Sequence, residues 1–215
     1  MNQEQRSLFL LLSVLSFFVF TPFLEGDPTG EAFLIAILYL TLVSATLELS
    51  VRRRVLWAAI PLALSSMALL VATRLHRTNP LQLANDLVLA AFLGLVAVTL
   101  FTYLGRPGAI TRGRLFVSVA VYLLMGLGWY VMYGVINTLQ PGSFAEAGIT
   151  LSGRILPSKL LYFSLVSLAT VGYGDIVAVR PAARMLAALE ATAGVLYIAI
   201  TVARLVAGYQ ISNRG

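Results

Sequence analysis

The chain has 215 residues, of which 59% are hydrophobic and only 11% are charged. An ordinary soluble domain is about 45–50% apolar and about 25% charged, so a soluble fold of this size could not bury this much apolar surface. The composition also excludes a disordered chain, which would be highly charged and poor in apolar residues. A mean hydropathy of +0.89 indicates a protein that is solvated mainly by lipid.

The composition also excludes several kinds of site. Cysteine is absent, so the chain has no disulfide, thiolate metal site or cysteine nucleophile. The single histidine, His76, cannot form a histidine-rich zinc site. The net charge of +6 does not indicate nucleic-acid binding, because the 15 basic residues stand mostly between apolar runs and favour a membrane topology. We expect no enzymatic activity, since no nucleophile–base or acid–base pair is visible.

Six long apolar runs recur along the chain, and a bilayer core of about 30 Å needs roughly 20 such residues in a helix. They cover residues 7–24, 32–49, 55–73, 87–104, 115–136 and 182–209. The first run is longer than the apolar region of a signal peptide and lacks a small-residue cleavage site. A further run, 160–169, is too short to cross and predicts a re-entrant helix. The sequence therefore predicts an all-α integral membrane protein with six transmembrane helices.

The placement of lysine and arginine predicts the orientation. With a cytoplasmic N-terminus, the inner segments hold Arg6, Arg52, Arg53, Arg54, Arg106, Arg112, Arg114, Arg204 and Arg214. The outer segments then hold Arg74, Arg77, Arg154, Lys159, Arg180 and Arg184. The inner side has the excess, so we predict a multi-pass protein of the plasma membrane with both termini in the cytoplasm.

One motif stands between the re-entrant segment and the last span: Thr170-Val171-Gly172-Tyr173-Gly174-Asp175. It resembles the selectivity filter of potassium channels, TVGYG. The context is similar too, with an outer helix, a polar turret, a short pore helix, the filter and an inner helix. The resemblance to prokaryotic six-transmembrane tetrameric potassium channels is close over 115–209 and general in layout before that. The alternative, a glycine-rich turn between helices, suits a membrane poorly unless the backbone is buried or lines a watery path.

The resemblance implies a chemistry for these residues. A dehydrated potassium ion needs oxygen ligands, which a strand with all its carbonyls on one side supplies. Such a strand requires unusual dihedral angles at alternate positions, and Gly172 and Gly174 take φ > 0 without steric cost. K+ is then the permeant ligand, with no other cofactor, and a homotetramer in membrane lipid encloses it. Its implied ligands are the carbonyls of Thr170, Val171, Gly172 and Tyr173 and the Thr170 hydroxyl.

Support for the filter is also implied by the resemblance. Tyr162 lies eight residues before Thr170, where related channels have an aromatic donor that bonds the aspartate at the filter end. We therefore expect the Tyr162 hydroxyl to reach Asp175, braced by Phe163 and Tyr173. Plain aromatic packing is the alternative. A ring of Asp175 carboxylates near the outer mouth would also raise the local cation concentration.

The last span has a candidate hinge. Gly194 lies nineteen residues after Asp175, where resembling channels have an inner-helix hinge glycine, and glycine lowers helix stability by about 1 kcal/mol. Close packing against a neighbouring helix is the alternative reason for this glycine. By the same alignment, three apolar residues are expected to line the central cavity: Val195, Ile198 and Val202.

Glu190 is unusual in the same span, because an acid in a transmembrane segment is costly and is a functional hypothesis by default. We expect it to support the filter from behind, partly protonated or bonded to polar groups of the pore helix. The alternative is that it reaches outer water or Arg184. We expect Ser164 and Ser167 to bond back to their own helix, and Arg204 to extend to lipid head groups.

The resemblance divides the chain into two domains. Residues 1–110 resemble a four-helix voltage-sensor domain without its arginines, and residues 111–215 resemble a pore domain. The fourth span, 87–104, carries no charge, and a charge moved through 100 mV contributes about 2.3 kcal/mol. We therefore predict that this helix does not gate the channel by voltage. Few residues follow the last span, so we expect any ligand gate to need a separate regulatory subunit.

These observations predict a potassium-selective channel that conducts K+ passively through a tetrameric pore. A weakly selective cation channel is one alternative, against which the intact Gly172-Tyr173-Gly174 argues. A modulatory subunit that does not conduct alone is the other.

Overall fold

The structure is a computed structural model that describes residues 2–49, 53–76, 78–105, 111–153 and 155–212. Within these ranges, the side chains at positions 28, 46–49, 53, 54, 56, 74 and 205–212 are outside the description. Several arginines on which the predicted orientation rests therefore lie outside the described residues or have undescribed side chains. They are Arg52, Arg53, Arg54, Arg74, Arg77, Arg106, Arg154 and Arg214.

The described part of the chain is mainly helical. Its helices are α1 (Gln3–Leu24), α2 (Pro28–Leu49), α3 (Arg53–His76), α4 (Asn79–Leu104), α5 (Arg112–Leu139), α6 (Pro157–Leu168) and α7 (Pro181–Ser212). Three short strands accompany them: β1 (Phe144–Glu146), β2 (Ile149–Thr150) and β3 (Ile176–Ala178). The predicted all-α class thus holds for the helices, but the small sheet is an addition that the hydropathy pattern did not predict.

Four helices are long and apolar enough to cross a membrane, as judged from the described residues. They are Gln3–Leu24, Asn79–Leu104, Arg112–Leu139 and, within α7, Pro181–Arg204. Helices α2 and α3 contain shorter apolar segments, Thr29–Ala45 and Trp57–Thr73. The prediction of apolar transmembrane helices is therefore supported for four of the expected six spans, and the full count of six stays a prediction.

Most helices begin before the apolar run that predicted them. Proline is the first residue of α6 and of α7, where its missing N–H leaves no helical hydrogen bond unmade. At the start of α5, the Thr111 side chain accepts a hydrogen bond from the Arg114 backbone N–H at 3.3 Å. These starting signals are polar or conformational, so the apolar runs place the helix starts between one and eight residues too late.

The larger hydrophobic core joins α1 and α4 to α5. Leu10 and Val14 of α1 are completely buried, as are Phe92 and Val96 of α4 and Val117 of α5. Burying an aliphatic side chain contributes about 1.5–3 kcal/mol relative to leaving it exposed. Helices α1 and α4 therefore pack directly on α5, the predicted outer helix, whereas α2 and α3 pack on α1 and α4.

A second contact ties α7 to the end of α4. The Tyr197 ring lies 5.8 Å from the ring of Phe101 and 5.8 Å from that of Tyr122. The Arg204 guanidinium carbon lies 5.2 Å from the centre of the Phe101 ring, and a side chain at Gly105 would collide with this guanidinium. Arg204 is exposed, and a cation–π contact with α4 stabilises its guanidinium. Its extension to lipid head groups stays a prediction.

Helix α6, the predicted pore helix, receives its N-terminal cap from a distant part of the chain. Its own preceding residue, Leu156, makes no side-chain cap bond. The Ser158 backbone N–H donates to Glu25 Oε2 at 2.9 Å, and the Ser158 hydroxyl donates to the other carboxylate oxygen of Glu25. A carboxylate here pairs an orphan N–H and complements the positive end of the helix dipole. The α1–α2 loop therefore helps to position the pore helix.

We predict that Glu25→Ala lowers the free energy of unfolding by about 1 kcal/mol, the usual effect of losing a helix cap. Thermal unfolding of the purified protein in detergent measures this change. Glu4→Gln is the matched control, because Glu4 is an exposed acid in the first turn of α1. An unchanged midpoint for Glu25→Ala would show that the contact contributes nothing.

Candidate functional site

The segment that follows the pore helix has a backbone of alternating hand. The φ angles of Thr170, Gly172 and Gly174 are +57°, +58° and +80°, whereas Val171 and Tyr173 are not among the described residues with positive φ. Alternating left- and right-handed residues turn successive carbonyls toward the same side of a strand. The expected positive φ at the two glycines is therefore present, and Thr170 shares it.

Thr170 has a positive φ that is costly for a β-branched residue. The neighbouring backbone holds it in place: Thr170 N–H donates to Ser167 O, and Val171 N–H donates to Val166 O, both at 2.9 Å. Such strain persists only where the surrounding structure determines the conformation, and it concentrates at functional sites. The last turn of α6 thus sets the start of the segment.

A small antiparallel sheet holds the other end of the segment. Strand β3 pairs with β1, with Glu146 opposite Ile176 and Phe144 opposite Ala178. The Ala147 N–H donates to the Asp175 carbonyl at 3.1 Å. Strand β2 flanks β1 through a two-residue turn, Ala147 and Gly148, whose φ angles of 48° and 81° suit a tight hairpin. The sheet therefore holds the residues that follow the segment, in the region predicted to be the turret.

The structure brings Tyr162 and Asp175 together. The interaction with the Tyr162 hydroxyl, opposed by partial desolvation and aided by the Ile176 backbone N–H, lowers the pKa of Asp175 below its ordinary value of 3.8. The expected partners thus lie close together, and their interaction favours the ionised form of the carboxyl group. The direct hydrogen bond between them stays a prediction.

We predict an acid-sensitive contribution from this pair. Because the pKa of Asp175 is lowered in the folded chain, the interaction between Tyr162 and Asp175 stabilises the fold above pH 3.8. This stabilisation is lost as the pH falls and Asp175 takes up a proton. Tyr162→Phe should therefore lower the free energy of unfolding at neutral pH, and its free energy of unfolding should fall less on acidification than that of the unmodified protein. Thermal unfolding from neutral pH down to about pH 3 measures both effects.

Tyr103→Phe is the control for this pH series, because the Tyr103 hydroxyl accepts its bond from Gln3, at an exposed position. Identical pH profiles for Tyr162→Phe and the unmodified protein would contradict the prediction.

Glu190 is completely buried. The Ser164 hydroxyl of α6 lies 2.5 Å from its Oε1 atom, and the Tyr133 hydroxyl of α5 donates to its Oε2 atom. The carboxyl group therefore joins three helices. Because it is completely buried, it does not reach outer water, which was the alternative. The expectation that Ser164 bonds its own helix is wrong, because its partners lie on α5 and α7.

The hydrogens of this cluster can be counted. The Ser164 hydroxyl has one proton but lies 2.7 Å from the Gly126 carbonyl and 2.5 Å from Glu190 Oε1. It can donate to only one of these oxygens. Both contacts are hydrogen bonds at once when Glu190 carries a proton and donates it to Ser164. The arrangement therefore satisfies a neutral carboxyl group fully.

Aromatic rings surround this cluster. Phe163 lies 5.0 Å from the Tyr133 ring and 5.4 Å from the Phe144 ring, measured between ring centres. Tyr133 and Phe144 lie 5.5 Å apart, and neither has any exposed surface. Of the two residues expected to brace Tyr162, Phe163 contacts α5 and β1. The other, Tyr173, is 72% exposed in the single chain. Edge-to-face pairs of this kind contribute about 0.5–1.5 kcal/mol each beyond their buried area.

We predict that Glu190→Leu destabilises the protein by about 1–3 kcal/mol for each buried hydroxyl left unpaired. Glu190→Gln should remain close to the unmodified protein, because its amide can donate to Ser164 and accept from Tyr133. Thermal unfolding of both variants separates hydrogen bonding from charge. A loss in Glu190→Gln as large as in Glu190→Leu would show that a hydrogen-bonding amide cannot replace the carboxyl group.

Gly194 lies directly against the end of the pore helix. A Cβ atom at this position would collide with the Leu168 carbonyl oxygen and meet its side-chain Cδ1 at 3.1 Å. The structure thus supplies a packing reason for the glycine. The hinge that the resemblance implies stays a prediction beside it.

The three residues expected to line the cavity lie on an exposed face of α7. Val195, Ile198 and Val202 are 52%, 49% and 53% exposed. The opposite face holds the buried residues Ala183, Glu190 and Tyr197. The helix therefore has one face packed within its own chain and one apolar face without cover from it.

Sequence reasoning missed Tyr133 and Glu25 as supports of the pore helix. Both act over a long sequence separation, 57 residues for Tyr133 to Glu190 and 133 for Glu25 to Ser158. The one available signal for Tyr133 was a tyrosine within an apolar run, which needs a partner when it is buried. The hydrogen-bond partner of the Tyr133 hydroxyl depends on how the helices pack, which the sequence pattern does not reveal.

The comparisons with known proteins concern this part of the chain. Residues 144–209 match the family model described as ion channel. A segment of 92 residues, 43% of the chain, is 30% identical to the inward rectifier potassium channel Kirbac3.1 of Paramagnetospirillum magnetotacticum. The match covers 27% of that protein, so this chain corresponds to about a quarter of its length. No solved structure matches.

The matched region includes β1, the pore helix, the alternating segment and most of α7. Residues 144–209 are therefore similar to an ion channel domain, and the apolar helices of the chain are consistent with a membrane protein.

Proposed function

We propose that the chain is the subunit of a potassium-selective channel in which four copies surround one pore. The observation that carries this proposal is the positive φ at Thr170, Gly172 and Gly174, three alternate positions of the filter-like motif. Carbonyls on one side of a strand replace the hydration shell of K+. The carbonyls of Thr170, Val171, Gly172 and Tyr173 and the Thr170 hydroxyl would form the ion sites.

Exposed apolar surface supports an oligomer. Val171 is 51% exposed and Tyr173 72% exposed in the single chain, although both belong to a segment that its own chain supports from behind. The uncovered face of α7 adds Val195, Ile198 and Val202. Apolar side chains of this extent mark contacts with other chains or with lipid. A cyclic tetramer would cover part of them and leave the α7 face to line the cavity.

The pore helix would stabilise the permeant cation. Its last residue, Leu168, is separated from Thr170 by Ala169 alone, and the C-terminal end of a helix carries a partial negative charge. An Asp175 carboxylate from each chain would add four charges near the outer mouth. Both features favour cations over anions without binding them tightly.

The first four helices would serve as a scaffold rather than a voltage sensor. The fourth span, 87–104, has no charged residue that the membrane field could move. The division of the chain at residue 110 and the cytoplasmic position of both termini belong to this proposal. The contact between Glu25 and Ser158 gives the α1–α2 loop a structural task at the pore helix.

The proposal is tested by potassium flux from liposomes that contain the purified protein. We expect barium-sensitive flux that favours potassium over sodium. Gly172→Ala should abolish this flux or its selectivity, because alanine disfavours φ > 0 at an ion site. Gly148→Ala is the matched control: its φ of 81° and its open surroundings impose the same backbone strain, but it lies in the turret.

The other candidate functions make different predictions. Flux with equal rates for sodium and potassium would indicate a weakly selective cation channel. Flux only after a second subunit is added would indicate a modulatory role. Equal effects of Gly172→Ala and Gly148→Ala on potassium flux would show that the flux does not depend specifically on the backbone of the filter segment.

A further inference from the structure

The single proton of the Ser164 hydroxyl limits the form that Glu190 can take. Ser164 Oγ lies 2.7 Å from the Gly126 carbonyl oxygen of α5 and 2.5 Å from Glu190 Oε1 of α7. The other carboxyl oxygen, Oε2, accepts from the Tyr133 hydroxyl. If Glu190 were ionised, the Ser164 proton would serve the carboxylate. The Ser164 and Gly126 oxygens would then lie 2.7 Å apart with no proton between them, and they would repel each other.

The burial of this cluster also disfavours a charge on Glu190. Glu190 and Ser164 have no exposed surface, and a carboxylate that is taken out of water is costly unless its partners replace the lost hydration. Its two oxygens meet hydroxyl groups, which carry no charge. The protonated acid instead completes one chain of hydrogen bonds, from Tyr133 through Glu190 and Ser164 to Gly126. The packing therefore fits a neutral acid.

The titratable side chains that face Glu190 come from α5. They are Tyr133 and Tyr122, which lie close enough to interact electrostatically with the carboxyl group. Arg112 is exposed at the first residue of α5. Four other basic residues of α5, α6 and α7 have contacts elsewhere: Arg114 with Tyr103, Lys159 with Glu146, Arg184 with Ala178 and Arg204 with Phe101.

The hydrogen bond between Ser164 and Gly126, here called the α5–α6 link, lies close to the base of the filter segment. The carbonyl groups two and three residues after Ser164 accept from the N–H groups of Val171 and Thr170, both at 2.9 Å. The two helices are also tightly packed here, because a Cβ atom at Gly126 would meet Leu165 Cδ2 at 3.3 Å. A shift of α6 away from α5 would therefore move the residues that begin the filter segment.

We propose that Glu190 is a positioning residue that works only as a neutral acid, and that the loss of its proton displaces α6 and stops conduction. Ionisation takes the Ser164 proton away from Gly126, so the α5–α6 link opens and the base of the filter segment loses its support. This regulation rests on the proposed channel function. It makes alkaline pH a closing signal that acts from within the chain.

Infrared spectroscopy of the full chain in detergent tests the protonation directly. A glutamate with the ordinary pKa of about 4.3 is ionised at neutral pH. We therefore expect a carboxylic-acid band at neutral pH that Glu190→Gln removes. Glu4→Gln is the control and should retain the band, because Glu4 is exposed. Identical bands in the unmodified chain and in Glu190→Gln would overturn the inference.

Potassium flux from liposomes tests the positioning role, over a range from neutral pH to about pH 9, below the ordinary tyrosine pKa of about 10. Glu190→Gln should conduct as the unmodified channel does at neutral pH, because its amide can donate to Ser164 and accept from Tyr133. Once the infrared band disappears, the flux of the unmodified channel should fall about tenfold per pH unit, as the protonated fraction does. The flux of Glu190→Gln should stay constant.

Three results of this flux series would overturn the inference. They are flux that persists after the band has gone, flux that falls while the band persists, and an equal fall in Glu190→Gln. If the band persists over the whole range, the flux should persist with it.

Ser164→Ala tests the α5–α6 link without a change of pH. Its flux at neutral pH should be about tenfold below that of the unmodified channel, the size expected for one buried hydrogen bond. Ser16→Ala is the control, because Ser16 of α1 donates to the Leu12 carbonyl of its own helix. Hydrogen exchange at the Thr170 and Val171 amides should be faster in Ser164→Ala and unchanged in Ser16→Ala.

The infrared band and the hydrogen exchange do not depend on conduction. A preparation that shows both expected results but no potassium flux would count against the channel proposal and leave the neutral acid and the α5–α6 link in place. Unchanged flux and unchanged exchange in Ser164→Ala would overturn the positioning role.

Discussion

A backbone that alternates in hand cannot make the hydrogen bonds of a helix or a sheet, and a membrane offers it no water in exchange. Neighbouring elements of the same chain hold this backbone in place. The segment from Thr170 to Gly174 is bonded at its base by the last turn of α6 and at its exit by β1. Its conformation is therefore imposed by surroundings within the same chain, while its carbonyls stay available for a ligand.

The helices around this segment are joined by polar contacts that aromatic side chains surround. Glu190 bonds α5 and α6 from α7, and Phe163, Tyr133 and Phe144 close around it. Such a network stabilises only when every member is paired, because each unpaired group in a medium of low dielectric is costly. This dependence explains why an acid can occupy a transmembrane helix. Glu25 extends the support to the α1–α2 loop, so the first helices contribute to the position of the pore helix.

The sequence predicts the helices and the filter segment well, because both depend on local patterns. Apolar runs reveal the helices, and glycines at 172 and 174 reveal the positive φ. Thr170 shows the limit of this reasoning, since a β-branched residue gives no sign of a positive φ. The sheet was missed because β1 and β3 are three residues long and lie thirty residues apart. The partners of Glu190, Ser164 and Arg204 depend on how helices pack, which periodicity does not encode.

The contact between Gly194 and the Leu168 carbonyl has a mechanical consequence. A side chain at position 194 would have to push α7 away from the end of the pore helix, because its Cβ atom would collide with a backbone oxygen. The same helix is bonded to α5 and α6 through Glu190 and rests on α4 through Tyr197 and Arg204. Such a displacement would therefore disturb contacts with three other helices of the chain.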